Sequence, residues 1–94
     1  MKASELKSLN DRDFIVRCWG SDVLAVIDKQ ETRKMSMDDF LSHCTACGGN
    51  WGGMLLTGIN KFWPDVWEAI PDDMGVFAWN CLCITIRLLG VCTE

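Results

Sequence analysis

Eleven residues, His43-Cys44-Thr45-Ala46-Cys47-Gly48-Gly49-Asn50-Trp51-Gly52-Gly53, hold the chain's single histidine, a Cys-x-x-Cys pair and four of its eight glycines. The stretch is either a metal or redox site or the place where one helix stops and the next begins. Gly48-Gly49 supplies the left-handed conformation that closes a helix at no steric cost. Asn50 offers a side chain to cap the following one. The residues therefore predict a helix stop and restart, which fixes much of what the neighbouring segments can become.

Residues 13–28 read as a β-hairpin about Gly20-Ser21, a two-residue loop with glycine first. That register places Phe14, Val16, Cys18, Val23, Ala25 and Ile27 on one apolar face, with a mixed face opposite. Arg33 to Met37 adds a candidate third strand. Ser36-Met37-Asp38-Asp39 then looks like a helix start, with a capping serine and carboxylates at the positive helix end. This helix runs from about Met37 to Cys47, with Phe40, Leu41, Cys44 and Cys47 as its apolar stripe.

A second helix is expected over 51–62. Its apolar residues, from Trp51 through Met54, Leu55, Leu56, Ile59 and Phe62 to Trp63, span about 200° at 100° per residue, more than one core-facing stripe needs. Pro64 suits the first position of a short helix that Pro71 ends, with Val66, Trp67 and Ile70 on one face. Asp72 or Asp73 is placed to cap a last helix over 74–89. Its apolar residues go nearly all round, as in a buried central helix. Cys81 to Leu89 also alternates, so a strand is the alternative there. The expected fold is α+β: an N-terminal hairpin, with or without a third strand, packed on three to four short helices. The chain reads as a single domain over 1–94, with 1–12 as a loose segment.

Composition limits the function. Leu, Ile, Val and Phe make up 25 of 94 residues, well above the disordered range, so folding without a cofactor is expected. Met1 to Arg12 lacks the apolar segment of a secretory signal, and Val76 to Val91 is too short to span a bilayer. A soluble cytoplasmic protein with reduced cysteines follows; three disulfides would need a secreted context. Residues 1–37 carry seven basic and six acidic side chains, whereas 38–94 carry two basic and seven acidic, with four of the five tryptophans. Such a half would repel phosphates, so no nucleic-acid partner is expected, and a basic protein partner fits better.

Zinc would have to draw on His43, Cys44, Cys47, Cys81 and Cys83. On a helix, Cys81 and Cys83 point about 200° apart and cannot share an ion. A redox Cys-x-x-Cys sits at a helix N-terminus, where the dipole favours a thiolate; Cys44 and Cys47 sit at a C-terminus. His43 has no second histidine or paired carboxylates to work with. The glycines lack the Lys-Ser/Thr of a phosphate loop. No metal and no catalytic residue is assigned. What remains is aromatic: five tryptophans are many for a small domain to bury, and part-exposed aromatics serve as interface anchors.

Cys44-Thr-Ala-Cys-Gly-Gly-Asn-Trp-Gly-Gly-Met-Leu-Leu-Thr-Gly-Ile59 and Trp67-Glu-Ala-Ile-Pro-Asp72 resemble small proteins from mobile elements of Gram-positive bacteria, a group with no assigned activity. The resemblance implies a bacterial accessory protein that binds or inhibits something. The sequence therefore predicts a non-catalytic protein-binding or inhibitory module, alone or as a homodimer. Its surface would be apolar with an acidic rim and would use Trp51, Trp63, Trp67, Asp65, Glu68 and Asp72. A zinc-binding regulatory module and a thiol-dependent enzyme are the alternatives.

Overall fold

The structure, a computed structural model, describes residues 9–44 and 51–92, apart from the side chains of Trp51 and Gly52. Cys47, the Gly48-Gly49 stop and the Asn50 cap lie outside the described residues.

The expected hairpin is instead a pair of helices, α1 (Asp11–Trp19) and α2 (Ser21–Asp28). Burial follows a helical period. Phe14 and Ile15 are buried together on α1, as are Val23 and Ile27 on α2, while Val16 and Ala25 of the proposed sheet face are exposed. Asn10 starts α1 by accepting the Asp13 amide at 2.9 Å, and Asp11 and Asp13 suit the positive helix end. Gly20, at φ 104°, closes α1 by donating to the Ile15 and Val16 carbonyls, and α2 starts directly from it. The glycine that suggested a strand turn is a helix C-cap. Arg12 forks onto the Asp28 carboxylate (Nη1 to Oδ1, 2.6 Å), joining the start of α1 to the end of α2. Asn10 to Arg12 take part in these contacts, and residues 1–8 of the segment expected to be loose lie outside the described residues.

The expected third strand of a hairpin is replaced by a two-stranded parallel sheet. Met35–Ser36 (β1) pairs in parallel with Val91–Cys92 (β2), Met35 opposite Val91 and Ser36 opposite Cys92. The Arg33 amide donates to the Leu89 carbonyl at 2.8 Å beside this pair. Gly90 permits the approach: it holds φ 108°, and a Cβ there would come 2.4 Å from the Arg33 carbonyl oxygen.

From β1 the chain enters α3 (Met37–Ser42), capped as expected by the Ser36 hydroxyl accepting the Asp39 amide at 3.1 Å. α3 ends at Ser42, short of Cys47. α4 (Trp51–Phe62) and α5 (Pro64–Ala69) match the expected elements, with Pro64 at the start of α5. α6 (Ala78–Leu88) starts later than Asp72 or Asp73 would allow, and neither carboxylate caps it: Asp73 accepts the Gly75 amide at 3.1 Å instead. Residues 81–88 are helix, not strand.

α6 is the core of the molecule. Cys81, Leu82, Ile84, Thr85 and Ile86 are buried, and it packs against α1 and α4. The Thr85 hydroxyl donates to the Cys81 carbonyl at 2.7 Å, so its burial leaves no polar group unsatisfied. Trp63 completes the core between α4 and α5. Its ring stacks on Phe40 at 6.3 Å, and its Nε1 donates to the Glu31 carbonyl at 2.9 Å, tying down the α2–β1 connection.

Candidate partner-binding groove

α5 is a single short helix, so adjacent residues on it face very different surroundings. Val66 turns inward and is fully buried, while Trp67, one residue and about 100° further round, is 44% exposed. The expected common face of Val66, Trp67 and Ile70 is therefore split. Ile70 is extended and ends the helix, and Pro71 follows it, so the chain leaves α5 at an angle instead of continuing along it.

The bend leaves a groove of about 320 Å³. Leu56 of α4, Trp67 and Glu68 of α5, and Ile70, Pro71, Asp72 and Met74 line it. Among the described residues neither Glu68 nor Asp72 forms an ion pair, nor does Asp65 at the start of α5. The ion pairs among the described residues, Arg12–Asp28 and Arg87–Asp11, lie on other elements. The groove is thus lined by apolar side chains and by two carboxylates that form no ion pair among the described residues.

The sequence brought together three of these residues, Trp67, Glu68 and Asp72, with Asp65 close by in the chain. It placed Leu56 in the over-wide apolar arc of 51–62 without singling it out, and it did not find Met74, whose place depends on how the 70–77 connection packs. Trp63 does not belong to the surface: it is 2% exposed, because the Glu31 carbonyl and Phe40 hold it inside. The side chain of Trp51 lies outside the described residues. Trp79, 49% exposed, borders a second, smaller apolar depression with Met37, Leu41 and Leu55. The apolar run around α6 gave no signal that this tryptophan would face out.

The candidate metal ligands are scattered. His43 is exposed, accepts from Lys61 Nζ at 3.2 Å through Nδ1 in one tautomer, and sets its ring edge against Phe62. Cys44 is half-buried; its thiol donates to the Phe40 carbonyl at 3.3 Å, and burial raises its pKa. Cys83 is half-buried and raised by burial, against a smaller lowering by Arg87. Cys81 is wholly buried, and burial, with Cys18 adding to it, pushes its thiol up to about 12. Among the described residues no three His, Cys, Asp or Glu side chains come together as a metal site. The raised thiols are poor nucleophiles at neutral pH.

One effect escaped the sequence. Cys18 of α1, a helix that packs against α6, adds to the raising of the Cys81 thiol. Nothing in their spacing signals it, because it depends on α1 being a helix.

No protein family, curated protein or solved structure matches the chain. No described helix is long and apolar enough to cross a membrane.

Proposed function

We propose that this protein is a non-catalytic cytoplasmic module that captures a basic segment of a partner protein in the Trp67 groove, binding or inhibiting that partner. The observation that carries the reading is a half-exposed indole in a groove lined by apolar side chains together with Glu68 and Asp72, neither of which has a counter-ion among the described residues. A partially exposed tryptophan beside a hollow is the kind of anchor on which interface energy concentrates. Unpaired carboxylates at the rim select for Lys and Arg and against acidic chains, and they raise the association rate more than the final affinity. The accessory role implied by the likeness to mobile-element proteins belongs to the same proposal.

The test is a fluorescence titration of the indoles with short peptides that pair leucine with lysine or arginine, alongside acidic peptides of the same apolar pattern. Saturable binding of the basic peptides alone is expected. It should weaken with salt, and Trp67→Ala should reduce it by about thirtyfold or more, the equivalent of ~2 kcal/mol for a central aromatic anchor. Equal binding of basic and acidic peptides, or unchanged binding by the Trp67→Ala chain, would overturn it. So would a sedimenting dimer that Trp67→Ala dissociates, which would give the groove to a second copy of the chain.

A further inference from the structure

Arg12 and Arg87 each hold a carboxylate, Asp28 and Asp11. Lys29, Arg33 and Lys61 form no ion pair among the described residues. The carboxylate next to Lys29 in the chain, Asp28, is already taken by the Arg12 fork. These three cations gather about one hollow. A cavity of about 520 Å³ is lined by Lys29, Thr32 and Arg33 of the α2–β1 connection, with Phe62 and Trp63 from the end of α4. Arg33 lies over the Phe62 ring, its guanidinium carbon 4.7 Å from the ring centre. Lys61 Nζ is 5.8 Å from the same centre. Its polar neighbour is His43 Nδ1 at 3.2 Å, which accepts as a neutral ring and leaves the ammonium charge uncancelled.

The wall of the cavity is anchored from behind. The Arg33 amide donates to the Leu89 carbonyl at 2.8 Å, and the Trp63 indole donates to the Glu31 carbonyl at 2.9 Å. The backbone is thus tied down on both sides of Thr32. An aromatic face attracts a guanidinium without supplying a counter-charge. Arg33 is therefore held in place while its fork of donors has no carboxylate to bind among the described residues.

We propose that this cavity is a binding site for a small phosphorylated molecule, with Arg33 forking onto the phosphoryl oxygens and Lys29 and Lys61 balancing their charge. A phosphomonoester carries close to two negative charges, which suits a site with several unpaired cations better than a single carboxylate does. Its oxygens match the guanidinium fork. The hollow is larger than a phosphate and falls in the range of small-molecule pockets, so the rest of the ligand has room. A concave site of this kind favours a small solute over a nucleic-acid strand or a membrane, which would need a broad basic face. Glu31 also lines the cavity and opposes an anion there. The site shares no lining residue with the Trp67 groove, so either reading can fail without the other.

The test titrates the full chain, labelled with nitrogen-15, with inorganic phosphate and with ribose 5-phosphate, at slightly alkaline pH and ionic strength matched with sodium chloride. Saturable shifts confined to the amides of residues 29–33 and 61–63 are expected, with the sugar phosphate binding more tightly. Arg33→Gln should weaken binding by about tenfold or more, the loss of a charge-assisted fork. Arg33→Lys should recover only part of this, because an ammonium lacks the fork. Glu31→Gln should tighten binding by about twofold or more, since it removes the opposing charge. The shifts are mapped on the unaltered chain, and Lys29→Gln, an exposed change, should weaken binding even if Arg33→Gln folds poorly. Shifts that never saturate, or that sodium chloride reproduces, would overturn the proposal. So would full affinity in folded Arg33→Gln, saturable shifts elsewhere in the chain, or binding to vesicles of phosphatidylcholine and phosphatidic acid with neither soluble phosphate bound.

Discussion

Trp63 and Trp67 stand one helical turn apart, on either side of the start of α5, and the fold uses them in opposite ways. Trp63 is 2% exposed, stacked on Phe40 and hydrogen-bonded through its indole to the Glu31 carbonyl. Trp67 is 44% exposed and lines a groove whose carboxylates form no ion pair among the described residues. Pro64 separates the two environments: α4 ends at Phe62, Trp63 leaves helical geometry at φ −138° and ψ 69°, and α5 starts at Pro64. Residue type does not decide which tryptophan is structural and which is available. The break between helices decides it, by pointing one ring into the α3–α4 contact and the other away from it.

If that division is right, the largest effect comes from the buried ring. Trp63→Ala should cost about 3–5 kcal/mol, from the cavity and the orphaned Glu31 carbonyl together. That is a large part of the total stability of a small domain. Urea denaturation measures it, and a loss under about 1 kcal/mol would break the comparison.

The core around α6 gives the next effect, through pH. Burial raises the Cys81, Cys44 and Cys83 thiols, and Cys81 the most, to about 12. A thiol kept protonated by the fold contributes its stability in full below the unfolded pKa of about 8.5 and loses it as pH rises toward the folded value. Cys81 alone should therefore remove about 2 kcal/mol between pH 7.5 and pH 10. Urea midpoints across that range test it, and Cys81→Ala should flatten the slope. A slope unaffected by Cys81→Ala would show that this thiol is not the one held down.

Local signals were legible and long-range ones were not. Ser36, Pro64 and the spread of apolar residues over 51–62 each act within one helix, and each predicted its element. Residues 13–28 misled because they are apolar enough to satisfy two periods at once. The signals for helix were the Asn10 cap, just before residue 13, and Gly20 as a C-cap. The β1–β2 pairing joins the middle of the chain to its end through two residues each, too short to carry a period. The same reason hid half the groove. Trp67, Glu68 and Asp72 are close in sequence, but Leu56 and Met74 reach them only through packing.

Gly58 tests how tightly the Trp63 side is packed. It lies inside α4, where alanine would ordinarily favour the helix by up to ~1 kcal/mol. A Cβ there would meet Phe40 Cζ at 2.5 Å and Cys44 Sγ at 2.6 Å. Phe40 is fully buried and cannot swing away, so overpacking of about 1–3 kcal/mol should win and Gly58→Ala should destabilise by ~1–2 kcal/mol. A stabilised Gly58→Ala chain would mean that α3 and α4 can slide apart. Trp67→Ala, by contrast, should cost only about 1 kcal/mol, because half of that ring is already in water. Equal losses for Trp63→Ala and Trp67→Ala would erase the distinction between core and groove.

The smallest effect is expected at the groove's rim, and its sign carries the information. Glu68 and Asp72 form no ion pair among the described residues, and Asp65 and Asp73 lie nearby in the chain. A carboxylate that stabilises the fold loses something when neutralised; one that only repels its neighbours does not. The double change Glu68→Gln, Asp72→Asn should therefore leave stability unchanged or raise it by up to about 0.5 kcal/mol. The gain should shrink in 0.5 M salt, where exposed charges are screened beyond a few ångströms. The same chain should associate more slowly with a basic peptide, while its dissociation rate changes little. A destabilised double variant would mean that the carboxylates hold the groove together instead of presenting charge to a partner.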